Sequence, residues 1–248
     1  MEATILFGGK TKMHIIPFFS TIITFIFMIA VFRRYQKKHG IHLLHWTIGL
    51  IWYGIGTLSE VILGFTYNGL ILKFWYLAGA MMTAAWLGQG TIHLLVRKRG
   101  VAKGLSIFLG VLSLLAIFLV FSAPFAANAP AYQTSQAISS QYKDILTRNG
   151  FIVALTIILN IYGTLALVGG AAYSAYIFWR KRVLFNRMVG NVMIAIGALM
   201  PAMAGSFVNL GMADVLYLSE LVGVILMYTG FVKATTPAVK VPAEAAAD

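Results

Sequence analysis

The chain has no cysteine. Disulfides, thiolate metal sites and cysteine nucleophiles are excluded at once. Charge is scarce too: 10% of the 248 residues are charged, against about 25% in a soluble domain. So few charges cannot cover a surface that faces water. Acids are the rarest class, 7 against 19 Lys and Arg, for a formal net charge of +12. An excess of that size would suit nucleic acid if the cations formed a face. They sit instead in short clusters at the ends of apolar runs, which is topology information, so no nucleic-acid partner is expected.

What fills the chain is apolar: 60% of its residues are hydrophobic and the mean hydropathy is +0.85. Crossing a bilayer takes about 20 apolar residues. Seven runs qualify, at 14–32, 42–64, 71–95, 104–122, 150–179, 188–209 and 213–232. The expected fold class is all-α: a polytopic integral membrane protein, one domain over 1–232, with seven transmembrane helices and a disordered tail at 233–248. The fifth run is long enough to tilt or to project from the bilayer. The first is too long for a signal-peptide core and ends in Arg33-Arg34 without a small-residue cleavage site, so it reads as a span.

Loop charge sets the orientation. Fourteen Lys and Arg fall on one side, clustered around Arg33–Lys38, Arg97–Lys103 and Arg180–Arg187 and in the tail. Five fall on the other: Lys10, Lys12, Lys73, Lys143 and Arg148. The positive-inside rule places the N-terminus outside, the C-terminus in the cytoplasm and the protein in the cell membrane. The largest loop, 123–149, then lies outside. Its Ala, Ser, Gln and Pro content reads first as a solvated connector and second as a cap over the outer mouth. No loop is long enough to hold a further folded domain.

Polar groups inside the spans are few and patterned. In the second span His45, Gly49, Trp52, Gly56 and Glu60 recur every three or four residues, which is one helical face. Trp75, Gly79, Met82, Trp86, Gln89 and His93 do the same in the third. Small residues at such spacing let helices approach closely, and Gly163, Gly169, Gly170, Gly190 and Gly197 extend that expectation to spans five and six. Glu60 and Glu220 are the only acids set inside the spans rather than at their ends. Both lie in the outer third, roughly 6 and 10 Å deep at 1.5 Å per residue. Acids in a bilayer are costly and face the protein interior or a water-filled cavity. Glu60 and Glu220, with Trp52 and Gln89 on the inward faces, are the candidate ion- or ligand-binding residues. The alternative is that each glutamate ties helices together through Ser59, Ser219, Tyr67, Tyr217 or an ion pair with Lys73.

His45 and His93 come near each other at the cytoplasmic ends of spans two and three. Two histidines on facing helices can ligate haem or a metal; interfacial histidines bonded to headgroups or carbonyls are the favoured reading. The 11 methionines read as gap-filling bulk rather than a soft-metal path. Pro201 is expected to kink span six. Asn160 and Asn191 read as helix-packing groups.

Further absences narrow function. No lysine lies in mid-span, since Lys233 ends the last one, so covalent retinal is not expected. No span offers a Ser/His/Asp arrangement, and no phosphate-binding loop is present, so the sequence leans away from an enzyme. Three classes remain. First comes a transporter or channel-like protein for a proton, cation or small molecule, with Glu60 and Glu220 as its acidic site. Next is a non-catalytic subunit of a larger membrane complex, or a homo-oligomer. Last is a seven-helix small-molecule receptor that signals through a partner.

Overall fold

The computed structural model describes residues 15–180, 185–209 and 214–236, with side chains throughout except at 204–209 and 214. Eight helices make it up: α1 Ile15–Lys38, α2 Ile41–Phe65, α3 Gly69–Leu95, α4 Val101–Ser122, α5 Ile138–Ile145, α6 Gly150–Arg180, α7 Phe185–Asn209 and α8 Asp214–Thr235. No strand occurs among the described residues, only an isolated antiparallel bridge between Phe125 and Leu146. Six helices, α1 to α4, α6 and α8, are long and apolar enough to cross a membrane. The described residues therefore form an all-helical fold that fits a multi-pass membrane protein in contact with lipid. The tail from 237 lies outside the described residues.

The outward faces explain the hydropathy. Phe18, Phe19, Ile22, Ile26 and Ile29 of α1 are exposed, as are Ile107, Phe108, Val111, Leu114 and Phe118 of α4. In water such faces would aggregate; in hydrocarbon they cost nothing. The inward face of α1 carries Ser20, Thr21 and Thr24, whose hydroxyls each donate to the carbonyl four residues back, at 2.7 to 3.1 Å. That satisfies polar groups within one helix.

Packing relies on glycine. The helices α7 and α8 run antiparallel, and a Cβ at Gly197 would fall 2.6 Å from the Gly223 carbonyl oxygen, one at Gly190 2.5 Å from that of Gly230. The relation is reciprocal and repeats at seven residues, so the two backbones touch along a seam that only glycine permits. Gly56 of α2 also lies close to α3, where its Cβ would fall 3.1 Å from Gly79 Cα. Gly169, expected to pack, has open space beside it.

Two helices widen into π-helical turns, α3 at Tyr76–Met82 and α6 at Leu165–Gly169. Such turns disturb the carbonyl ladder. Here Thr83 Oγ1 donates to Ala78 O at 2.9 Å, and Asn160 Nδ2 of α6 donates to Ala80 O.

The segment 123–149 is a docked cap. Ala126 N donates to Ile145 O (2.9 Å), Thr147 N to Pro124 O (3.0 Å), and Tyr132 OH to Leu63 O at the end of α2 (2.8 Å). Ile138, Ile145 and Leu146 are at most 2% exposed. The expected solvated connector is corrected by that burial. Composition hid it, because three apolar residues at helical spacing are enough to seat α5 on the bundle.

Candidate functional site

Beneath the cap lies a cavity of about 610 Å³. Helices α2, α3, α6, α7 and α8 wall it, and α5 contributes Ser139, Tyr142 and Lys143 at its upper end. The deep end is apolar, formed by Leu87, Leu167, Val168, Ala198 and Met227. Both π-helical turns line it, through Gly79 and Ala80 on one side and Leu167 and Val168 on the other.

Glu60 and Glu220 both open onto this cavity. Glu60 is 4% exposed. Its Oε1 accepts from Trp75 Nε1 at 2.9 Å. The second oxygen, Oε2, is buried and has no donor among the described residues; the same is true of Glu220 Oε2. The two carboxyl groups face the same cavity, near enough for each charge to act on the other. Two carboxylates offer acceptors only. A shared proton, a bound cation or a ligand ammonium would satisfy both. Tyr53 of α2 fixes the partner helix by donating to the Glu220 backbone carbonyl at 2.9 Å.

None of the alternative partners takes Glu60. Lys73 Nζ donates to Phe121 O at 2.8 Å and lies 4.9 Å over the Phe125 ring. Ser59 and Ser219 bond back to Ile55 and Leu216 of their own helices, and Tyr217 OH accepts from Ile138 N of the cap. Trp75 stands in the inward stripe of the sequence, but a stripe does not say which tryptophan meets the acid.

Around the mouth the cap brings aromatic and cationic groups. The Arg148 guanidinium lies 4.8 Å from the Tyr142 ring centre and 5.9 Å from that of Tyr76. Burial raises the Tyr142 phenol above its ordinary value, with Arg148 opposing. Burial first, then the nearby Glu60 and Tyr67, pushes the Tyr132 phenol up to about 12. Burial likewise raises Tyr67.

Gln89 and the two histidines form a second, separate cluster. Ser106 of α4 is its centre. Its Oγ lies 3.0 Å from His45 Nε2, 2.6 Å from His93 Nε2 and 2.8 Å from Gln89 Nε2. Because His45 Nδ1 faces the Ile41 carbonyl at 2.9 Å, that nitrogen carries the hydrogen and Nε2 accepts from Ser106. His93 then donates to Ser106. Gln89 donates to both Ser106 and the Ala102 carbonyl and accepts from Tyr162 of α6. Ser106, Gln89 and His45 each find their partners within this set. The ring centres of His45 and His93 are 4.5 Å apart. No group of three or more metal-ligating side chains occurs among the described residues.

The structure thus unites Glu60 with Glu220 and places Gln89 with His45 and His93. Trp52 packs against the core, and neither Trp52 nor Gln89 lines the cavity. Sequence reasoning missed Ser106, one serine in an apolar run, and Arg148, counted there only as a topology charge. Comparison with family models, with curated proteins and with solved structures finds no match.

Proposed function

We propose that the chain is a seven-span transporter or channel-like protein of the cell membrane, with α7 as the remaining span. The cap faces outside and the basic loops face the cytoplasm. It moves a proton, a cation or a small molecule through the cavity, with Glu60 and Glu220 as its acidic site. One observation carries this reading: acids 160 positions apart in sequence converge on one cavity, each keeping a buried oxygen without a donor among the described residues. A purely structural pair would be expected to saturate its oxygens with helix donors, since orphaned buried acceptors are costly.

The test is flux in proteoliposomes. Glu60→Gln and Glu220→Gln should insert and melt like the parent yet lose pH-coupled flux by at least tenfold. Parental flux in both variants removes the proposal. A receptor would share the capped, ligand-sized cavity, and it is told apart by a ligand-induced conformational change without any flux.

A further inference from the structure

Four buried side-chain polar atoms lack a hydrogen-bond partner among the described residues: Glu60 Oε2, Glu220 Oε2, Ser139 Oγ and Arg148 Nε. All four belong to residues that line the cavity under the cap. Unsatisfied buried groups are rare in folded proteins, and four around one cavity mark a place where something else completes the bonding.

Their chemistry is divided. The carboxylate oxygens accept, the guanidinium Nε–H donates, and the serine hydroxyl does either. The division has a direction. Glu60 and Glu220 come from α2 and α8, while Ser139 and Arg148 come from the cap helix and from the residue just before Asn149, which caps α6. Among the described residues neither Arg148 Nε nor either Oε2 atom has a hydrogen-bond partner. Contacts join the two ends through aromatic rings: Glu60 to Trp75 (2.9 Å), Trp75 to Tyr142 (ring centres 5.2 Å), Tyr142 to Arg148 (4.8 Å). A bare proton or metal cation answers the acids and leaves Arg148 and Ser139 unanswered. An anion does the reverse.

We propose that the cavity binds a small zwitterion, with its ammonium between Glu60 and Glu220, its carboxylate on Arg148 and Ser139, and an apolar spacer along Trp75 and Tyr142. This rests on the reading of the two glutamates as the site and names the class of solute they take. Charge-assisted bonds at both ends make such a ligand bind better than either half alone. The aromatic wall adds favourable contact with the ammonium and spacer.

The test is equilibrium binding to the purified full chain in detergent micelles, by titration calorimetry. The probes are glycine, 4-aminobutanoate, 6-aminohexanoate, hexylamine, hexanoate and phosphoethanolamine. One of the longer aminocarboxylates should bind at least tenfold more tightly than hexylamine and hexanoate. Glu220→Gln and Arg148→Gln should each weaken it at least tenfold, with the melting temperature of the unliganded protein little changed. Arg148→Lys retains the cation over the rings and guards against a merely structural loss. It should recover part of the affinity. Tighter binding of phosphoethanolamine, lost in the same variants, would keep the zwitterion and identify its source as a lipid headgroup. No binding by any probe, or hexylamine binding equally well and indifferent to Arg148→Gln, overturns the proposal. Flux that persists without zwitterion binding would leave the transport reading standing, and binding without flux would leave only the site.

Discussion

Removing the Ser106 hydroxyl should be among the most disruptive one-atom changes in the bundle. In Ser106→Ala, His45 Nε2 loses its donor, His93 Nε2 loses its acceptor, and Gln89 keeps only the Ala102 carbonyl for its amide hydrogens. His45 is 7% exposed and cannot turn to water; His93 is partly exposed and can do so in part. Side-chain hydrogen bonds in membrane proteins average about 0.6 kcal/mol by double-mutant cycles, which for three contacts gives a floor near 2 kcal/mol. Stranding the buried imidazole nitrogen adds about 1 to 3 kcal/mol, less relaxation. The expected loss is about 2 to 4 kcal/mol. Unfolding in mixed micelles, followed by tryptophan fluorescence, reads it directly, since the Trp86 ring stacks on His45 at 5.7 Å. Ser106→Thr restores the hydroxyl and should recover most of the loss. Combined with His45→Phe, the alanine variant should cost at least about 1 kcal/mol less than the separate losses predict. A loss below about 0.5 kcal/mol, or full additivity with His45→Phe, would refute the network.

The cap and the glycine seam each carry a further prediction. The Tyr132 phenol titrates at about 12 in the folded chain against about 10 unfolded; the fold thus favours the neutral form, and its contribution is whole below pH 10 and lost as the pH rises through 12. Limited proteolysis of 123–149 should accelerate over that window in the parent, and Tyr132→Phe should remove the step while loosening the cap by about 1 kcal/mol at neutral pH through the missing bond to Leu63. A parental pH profile in Tyr132→Phe would exclude this tether. Gly197→Ala puts a methyl 2.6 Å from the Gly223 carbonyl oxygen and should cost about 1 to 3 kcal/mol by forcing α7 from α8, whereas Gly169→Ala, in open space, should be near neutral; equal melting of the two would count against the seam.

Helix positions were legible because hydropathy and loop charge act over twenty residues and tolerate local error. Each of the seven apolar runs falls on a helix, and α1 and α3 exceed the expected bounds by no more than six residues at either end. The shared depth of Glu60 and Glu220 was legible for a similar reason, whereas whether the two acids meet was not: depth along a span does not say which way each side chain turns. The failures are those of contact. Lys73 had the right sign and side to pair with Glu60, yet a lysine at a helix end reaches a carbonyl more cheaply than it enters the core. The cap was hidden because docking needs only a few apolar residues among many small ones. Ser106 was hidden because a lone hydroxyl in an apolar run normally bonds back to its own helix; the Ala102 carbonyl stands 3.1 Å away for that purpose, but the hydrogen is taken by His45.

The deepest misreading concerns α3. A regular helix puts Trp75, Gly79, Met82, Trp86, Gln89 and His93 on one inward stripe, along which the sequence groups Gln89 with the acids and His93 with His45. The π-helical turn at Tyr76–Met82 adds a residue to the winding, and each added residue rotates the remainder of the helix by about 100°. Trp75, before the turn, reaches Glu60, while Gln89 and His93, after it, meet Ser106 of α4. One stripe in the sequence becomes two sites, about 21 Å apart along the axis at 1.5 Å per residue. Three rungs bind α3 to α6 across that interval: Tyr76 to Thr156 at 2.9 Å, Ala80 to Asn160, and Gln89 to Tyr162. Sites this far apart without a shared partner should contribute independently, so the loss from Ser106→Ala should be the same within about 0.5 kcal/mol in the parent and in Glu60→Gln. An interaction above about 1 kcal/mol would mean that the rungs move together. The π-helical turns would then be a mechanical link between the acid cavity and the imidazole cluster, rather than the device that keeps them apart.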